Sequence, residues 1–471
     1  MTRSFTGFLE RLKVWARTAD QHRLAAVLVM ALAAMTVQLY PLSQEPQVPL
    51  SQQVKRLTSD AKLYWGLAQN LANGTGYRDT VRNKDILPSI GHPKAMSLGW
   101  SVFGFSPAQY TQWALWLSTL FSTWAVLRYT RSAALALASL GIQLIVSHNR
   151  PWLVGAAQPS IVLANAVLLA ALAELYRSAS WRPWGVLTGI ALAFQLLVRP
   201  VLLYPVHFLA GVGALILIVP QLRRRLVRSP RASTWLALGV AVLVAEAVVG
   251  MVRIDSHVVY GDSRQVTGTY GAWTLYCANN VFARPDASYK SIPPHLKDSH
   301  SSKQWVEFAK LVSTRYGSPA VKMDWVQREK VLLSETLSYW KSHPGRALKG
   351  YLWRLQRLLG LHGSAWNKPI GRYHTAVTVL LFGLAIANLM RPATRFGLGV
   401  LSTALVFSYF AIHALFVWVG IRYSTPLFPL MSVGIVLALR DLVHGRRSTG
   451  AAGHDEVRLA EGAPISEASA T

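Results

Sequence analysis

The chain has 471 residues, 52% of them hydrophobic and only 15% charged, with a mean hydropathy of +0.28. Soluble domains usually carry about 25% charge, so the three or so soluble domains that the length alone would allow are excluded. The charge is lopsided, 48 Lys+Arg against 21 Asp+Glu for a net +27, and apolar runs separate the cations, so the expected partner is a membrane and not nucleic acid. A single cysteine, Cys277, rules out an intrachain disulfide framework and a multi-cysteine metal site.

Ten apolar segments reach or approach the roughly 20 residues that a spanning helix needs. They are 24–40, 109–127, 132–148, 158–176, 183–198, 201–219, 233–252, 373–390, 396–418 and 423–439. The first follows the basic stretch 1–23 and lacks a small-residue cleavage site, so it is expected to be an uncleaved anchor. With the N-terminus in the cytoplasm, the inner turns hold Arg128/Arg131, Arg177/Arg182, Arg223–Arg225, Arg391/Arg395 and Arg440/Arg446/Arg447. The short outer turns hold only Arg150, Arg199 and Arg422. Ten crossings thus satisfy the bias of Lys and Arg towards the cytoplasmic side at each short turn. The expectation is an all-α, multi-pass protein of the inner (plasma) membrane with both termini cytoplasmic. It comprises a transmembrane module over 24–441 and a disordered cytoplasmic tail over 446–471.

Two long segments fall on the outer face, 41–108 and 253–372. In the first, LTSDAKLYWGLAQNLANGTGY predicts a short helix, capped by Thr58 or Ser59 and ended by Gly74 and Gly76. Asp60, Tyr64, Leu67 and Leu71 share one face of it. An apolar stretch, SLGWSVFGF, follows His92-Pro93-Lys94. The second outer segment opens with a Gly-, Thr- and Tyr-rich run that suggests irregular or β-like structure. Helical patterns follow. Met323, Val326, Leu333, Leu337 and Trp340 lie on one stripe, interrupted by Lys330. Leu348, Leu352, Leu355 and Leu359 form a cleaner stripe after Pro344-Gly345, with Arg346, Lys349, Trp353 and Arg357 on the opposite face. A basic amphipathic helix with tryptophan suits the membrane surface.

The segment TSDAKLYWGLAQNLANGTGY resembles the first outer loop of the GT-C superfamily of integral-membrane glycosyltransferases. The likeness is to the bacterial relatives of protein O-mannosyltransferases and of the lipid A aminoarabinose transferase. An Asp, a Tyr four residues on and a helix ending near Gly-x-Gly-Tyr form the shared pattern, followed here by HPKAMSLGW and VFGFS. GVLTGIALAFQLLVRPVLLYP is similar to the family's glycine-rich span ending in Arg-Pro, and IRYSTPLFPL to its last span. GTYGAWTLYCANNVFA resembles the segment after the seventh span. The family's double proline is His92-Pro93-Lys94 here, and the Asp-Glu pair of some branches is Asp60-Ala61.

The resemblance implies transfer of a sugar from a polyprenyl-phosphate donor to a lipid, glycan or protein acceptor on the periplasmic face, by inverting displacement. Such chemistry needs a base for the acceptor hydroxyl and fixed cations for the departing phosphate. Asp60 matches the family's catalytic aspartate. Arg199 and Arg422, with Tyr423 beside the latter, match positions near the donor phosphate. Tyr64, His92, Lys94 and Arg253 complete the candidate substrate contacts. No cofactor is called for: no ligand cluster at metal spacing surrounds His92, so a divalent metal is not indicated.

Plainer roles exist for the same residues. Asp60 suits a helix N-terminus, an effect worth about 0.3–1 kcal/mol, and arginines at span ends snorkel to water. Glu246, inside the seventh segment, stands out because carboxylates are rare there. A transporter or lipid flippase and a ligase using a lipid diphosphate donor are the competing functions, although no inverted repeat of the kind common in transporters is apparent.

Overall fold

The computed structural model describes residues 49–77, 89–148, 156–177, 181–199, 232–260, 325–359, 369–390, 397–415 and 429–443. Between these it describes positions 203, 206, 207, 211, 218–221, 275, 276, 278, 279, 361 and 427. The expected first span 24–40, most of 201–219, the basic N-terminus and the tail 446–471 lie outside the described residues.

All regular structure among the described residues is helical. In chain order the helices are α1 (Leu50–Arg56), α2 (Ser59–Ala72), α3 (Gly91–Phe103), α4 (Pro107–Thr130), α5 (Ala133–His148) and α6 (Gln158–Arg177). Then come α7 (Trp181–Val198), α8 (Ala232–Tyr260), α9 (Trp325–Ser342), α10 (Pro344–Leu358), α11 (Pro369–Leu389), α12 (Leu398–His413) and α13 (429–443). The run after the seventh apolar segment departs from expectation, because residues 253–260 continue α8 as helix.

Among the described residues, two stretches are long and apolar enough to cross a membrane: Gln158–Arg177 in α6 and Leu236–Asp255 in α8. Shorter apolar helices lie at Ala133–Leu144, Pro183–Val198, His374–Leu389 and Leu398–His413. α4 has 24 residues, about 36 Å at 1.5 Å per residue, but its hydropathy is diluted by hydroxyls. Several of those hydroxyls are satisfied within the helix: Thr111 donates to the Pro107 carbonyl at 2.8 Å and Thr119 to that of Leu115 at 3.0 Å, whereas the buried Thr123 hydroxyl has no hydrogen-bond partner among the described residues. A Ser or Thr bonded back to its own helix therefore leaves no unmet polar group in an apolar setting.

Local chemistry explains the helix ends. Ser106 and Gln109 form a capping box, 2.8 and 3.3 Å, with Pro107 at the first helical position of α4. At the other end Arg131 adopts a left-handed backbone, φ 56°, and turns the chain into α5. Thr58 caps α2 by accepting from the Ala61 amide, and Gly74 and Gly76 follow with φ of 72° and 89°.

Side-chain contacts fix how the helices run. Tyr110 meets Ser160 near the starts of α4 and α6, while Trp124 and Arg128 meet Glu174 near their ends, so these helices are parallel. α7 and α8 are also parallel. Gly185 lies against Ala237 and Gly189 against Ala241 and Val244. A Cβ on Gly189 would sit 2.7 Å from the Ala241 carbonyl oxygen, so only glycine permits this approach. α12 runs antiparallel to α13, with Gly399 on Ala438 and Ser402 near Gly434. α11 runs parallel to α13, and Asn388 donates to the Ala438 carbonyl at 2.8 Å.

Arg128, Arg177 and Arg440 gather at one end of the bundle. Arg128 donates to Glu174 at 2.7 Å and Arg177 to the Tyr129 carbonyl at 2.8 Å. The Tyr129 hydroxyl donates to Asp441 at 3.3 Å, and Arg440 lies 5.0 Å from its ring centroid. The Leu398 amide donates to the same hydroxyl at 3.4 Å. The ends of α4, α6 and α13 and the start of α12 thus meet here. α1, α2, α3 and α10 belong to the opposite end, where α4 and α6 begin and α12 stops.

Candidate functional site

α2 packs on α3 and on the start of α4 through Leu57, Ala61, Trp65, Ala68, Met96, Tyr110 and Ala114. Trp65 lies 5.7 Å from Trp100, ring to ring. A second cluster of Leu63, Leu67 and Tyr77 folds the chain after α2 back onto that helix. Burial pushes the Tyr77 phenol well above its ordinary value, and the nearby Tyr64 adds to the effect.

His92, at the second position of α3, is 1% exposed. Its Nδ1 is 2.7 Å from the Ser160 hydroxyl, which is 2.5 Å from the Tyr110 hydroxyl. Tyr64 from α2 meets the imidazole edge-on at 4.7 Å. Three helices and α2 therefore converge on one ring. Protons can be ordered along Tyr110–Ser160–His92 in either direction, so the His92 tautomer and the direction of the Ser160 hydroxyl are linked.

The end of α7 abuts this site. Ser89 donates to the Val198 carbonyl at 3.0 Å. A Cβ on Gly91 would lie 2.4 Å from the Leu197 carbonyl carbon, so the start of α3 closes onto α7 only because that residue is glycine. Arg199, the residue after α7, is half-buried at this junction. Arg253 is half-buried on α8. It stands nine residues past Val244 in a helix parallel to α7, as Val198 stands nine past Gly189, so the two share a level along the bundle.

Of the residues expected to form the site, Tyr64 and His92 are in contact, and Arg199 follows directly on the α7 end that touches α3. Lys94 is on α3 but exposed. Asp60 occupies the first turn of α2, one turn before Tyr64, and is exposed. Among the described residues no cation is paired with it. The cap of α2 is Thr58, so Asp60 is not needed as the capping group. Arg422 and Tyr423 lie outside the described residues. No group of three or more His, Cys, Asp or Glu converges among the described residues.

Sequence reasoning missed Ser160 and Tyr110, which stand on α6 and α4 and meet His92 only through packing. It also missed Arg354. This residue is 1% exposed and donates to the Ala414 carbonyl at 2.6 Å, the Ala278 carbonyl at 3.1 Å and Asn279 Oδ1 at 3.1 Å. Asn279 in turn donates to the Leu275 and Leu415 carbonyls, both at 2.8 Å. Burial lowers the guanidinium to about 10, with Tyr339 and Tyr351 opposing the shift. Arg354 thus ties residues 278 and 279 to the end of α12. One signal was present: it belongs to neither the leucine stripe nor the basic face of its helix.

Neither a protein-family model nor a curated protein sequence matches the chain.

Proposed function

We propose that the protein is a membrane glycosyltransferase that moves a sugar from a polyprenyl-phosphate donor to an acceptor on the outer face. The supporting observation is the placement of α2 and α3. They cover the end of the bundle opposite the arginines of α4, α6 and α13, and basic ends favour the cytoplasm. Ten crossings in a GT-C-like arrangement are compatible with the helix directions described above. α7 and α8 run parallel, as an intervening span would require, and α12 and α13 run antiparallel.

Asp60 is the general base in this reading. Its carboxylate is open to water, where an acceptor hydroxyl arrives, and one turn on Tyr64 leads to His92. The donor phosphate is placed against Arg199 and Arg253, which share a level. Arg422, Tyr423 and Lys94 are further donor contacts. A positioned base contributes about 10²–10⁴-fold. Asp60→Asn, purified and assayed with a panel of synthetic polyprenyl-phosphate sugars, is expected to keep the wild-type melting behaviour and lose transfer by about that factor. Wild-type turnover in this variant would remove Asp60 from the mechanism.

One observation favours a second reading, a transporter or flippase. His207 Nδ1 lies 2.6 Å from Glu246 Oε1, within the apolar stretch of α8, and paired ionisable groups inside spans mark ion or substrate paths. Counterflow of a labelled substrate in proteoliposomes would support it, and donor-dependent transfer without counterflow would exclude it.

A further inference from the structure

α10 has three distinct sides. At about 100° per residue, Gly350, Arg354 and Leu358 form the buried side. Leu348 and Leu352 form the second and are 58% and 47% exposed. Arg346, Lys349 and Arg357 form the third, with Trp353 among them and its ring 5.1 Å from the Arg357 guanidinium. The sides are centred roughly 120° apart by the same geometry. A helix free in water would turn its leucines inward and its arginine outward. Here Arg354 is inside beside Leu358, held by the Ala278 and Ala414 carbonyls, while Leu355 and Leu359 pack on the protein and Leu348 and Leu352, at the start of the same stripe, face outward.

We propose that α10 lies in the plane of the membrane surface and binds anionic phospholipid. This rests on α10 alone and holds whether or not the protein transfers sugars. One side seats on the protein, the leucine side enters the acyl region, and the basic side lies at headgroup level. Charge selects the partner. α10 contains no Asp or Glu, so its three outward cations face phosphate without an internal competitor. An aromatic ring beside a guanidinium suits the headgroup boundary, where one edge is apolar and the other wet. Arg354 extends the consequence inward: seating of α10 steadies residues 278 and 279, which it holds.

The test uses the full chain in nanodiscs of phosphatidylcholine alone or mixed with phosphatidylglycerol, read by amide exchange over 344–358. Phosphatidylglycerol is expected to slow exchange, and the double variant Arg346→Gln/Lys349→Gln to lose that difference. Each cation removed weakens the preference by about fivefold, from the strength of one cation at an anionic surface. Leu348→Ser/Leu352→Ser should speed exchange in both lipids. All four positions are exposed, so the variants keep the fold, and unchanged exchange in α4 and α6 checks this. Equal exchange in the two lipids overturns the proposal. So does a lipid difference that survives loss of Arg346 and Lys349. Protection by inorganic phosphate in phosphatidylcholine discs overturns it too, since a lipid surface is then not what α10 reads.

Discussion

Replacing Arg354 by methionine removes the only side chain that bonds simultaneously to Ala414, Ala278 and Asn279 among the described residues. The perturbation keeps most of the apolar stem, so cavity formation is minor. Three hydrogen bonds from a charged donor, at about 1.5–3 kcal/mol each, amount to about 5–9 kcal/mol. Burial opposes this. Lowering the guanidinium from its ordinary value to about 10 corresponds to about 3 kcal/mol, at about 1.36 kcal/mol per pH unit, and methionine relieves that penalty. The net loss is about 2–6 kcal/mol by this arithmetic. It should appear as a lower thermal denaturation midpoint in detergent and as faster proteolysis near 275–279. Arg354→Lys should not rescue, because a single ammonium lacks the planar fork that reaches three acceptors. A double-mutant cycle with Asn279→Ala is expected to give coupling of about 0.5–3 kcal/mol, as for groups in one network. Wild-type stability in Arg354→Met, or strict additivity in the cycle, would refute the anchoring role.

Gly399→Ala places a Cβ 2.5 Å from the Ala438 amide nitrogen, and backbone cannot yield, so a loss of about 1–3 kcal/mol is expected in thermal denaturation. Gly383→Ala meets nothing within 4 Å in α11 and should be neutral or stabilising by about 0.5–1 kcal/mol through helix propensity. Tyr77 is raised above 10.0 by burial, so below pH 10 its contribution is intact. Above that, the unfolded chain loses the proton and the folded chain keeps it, and stability falls as pH rises. Tyr77→Phe should therefore show a shallower alkaline loss of stability, and identical alkaline slopes would contradict its burial.

Several local features were legible without coordinates. The helix over LTSDAKLYWGLAQNLA follows from Thr58, the i to i+4 apolar spacing and the glycines that end it, all effects that act within a few residues. The apolar runs that became α6 and α8 were equally plain, because length and hydropathy are local properties. α8 was misjudged at its end, where Arg253 and Asp255 looked like a loop but extend the helix. The leucine stripe of α10 follows from spacing alone, yet the sequence did not say how it is covered: Leu348 and Leu352 are exposed while Leu355 and Leu359 pack on the core. Leu333 and Leu337 are exposed while Leu332, Thr336 and Tyr339 are buried, just as Leu348 and Leu352 are exposed while Arg354 is buried.

The sequence by itself determined a membrane-suited composition, the helical periodicities, the caps and the uneven placement of arginine. Each is set by neighbours within one or two turns, or by the summed chemistry of the chain. Only the tertiary structure decided that His92 meets Ser160 and Tyr110 from two other helices, and that Gly91 lets α3 close onto α7. It likewise decided that Arg354 turns inward. These contacts join residues from 18 to 109 positions apart in the chain, as with Ser89 and Val198 or Arg354 and Asn279. Such pairing depends on which helix faces pack together, a property of the folded chain as a whole and not of any local pattern.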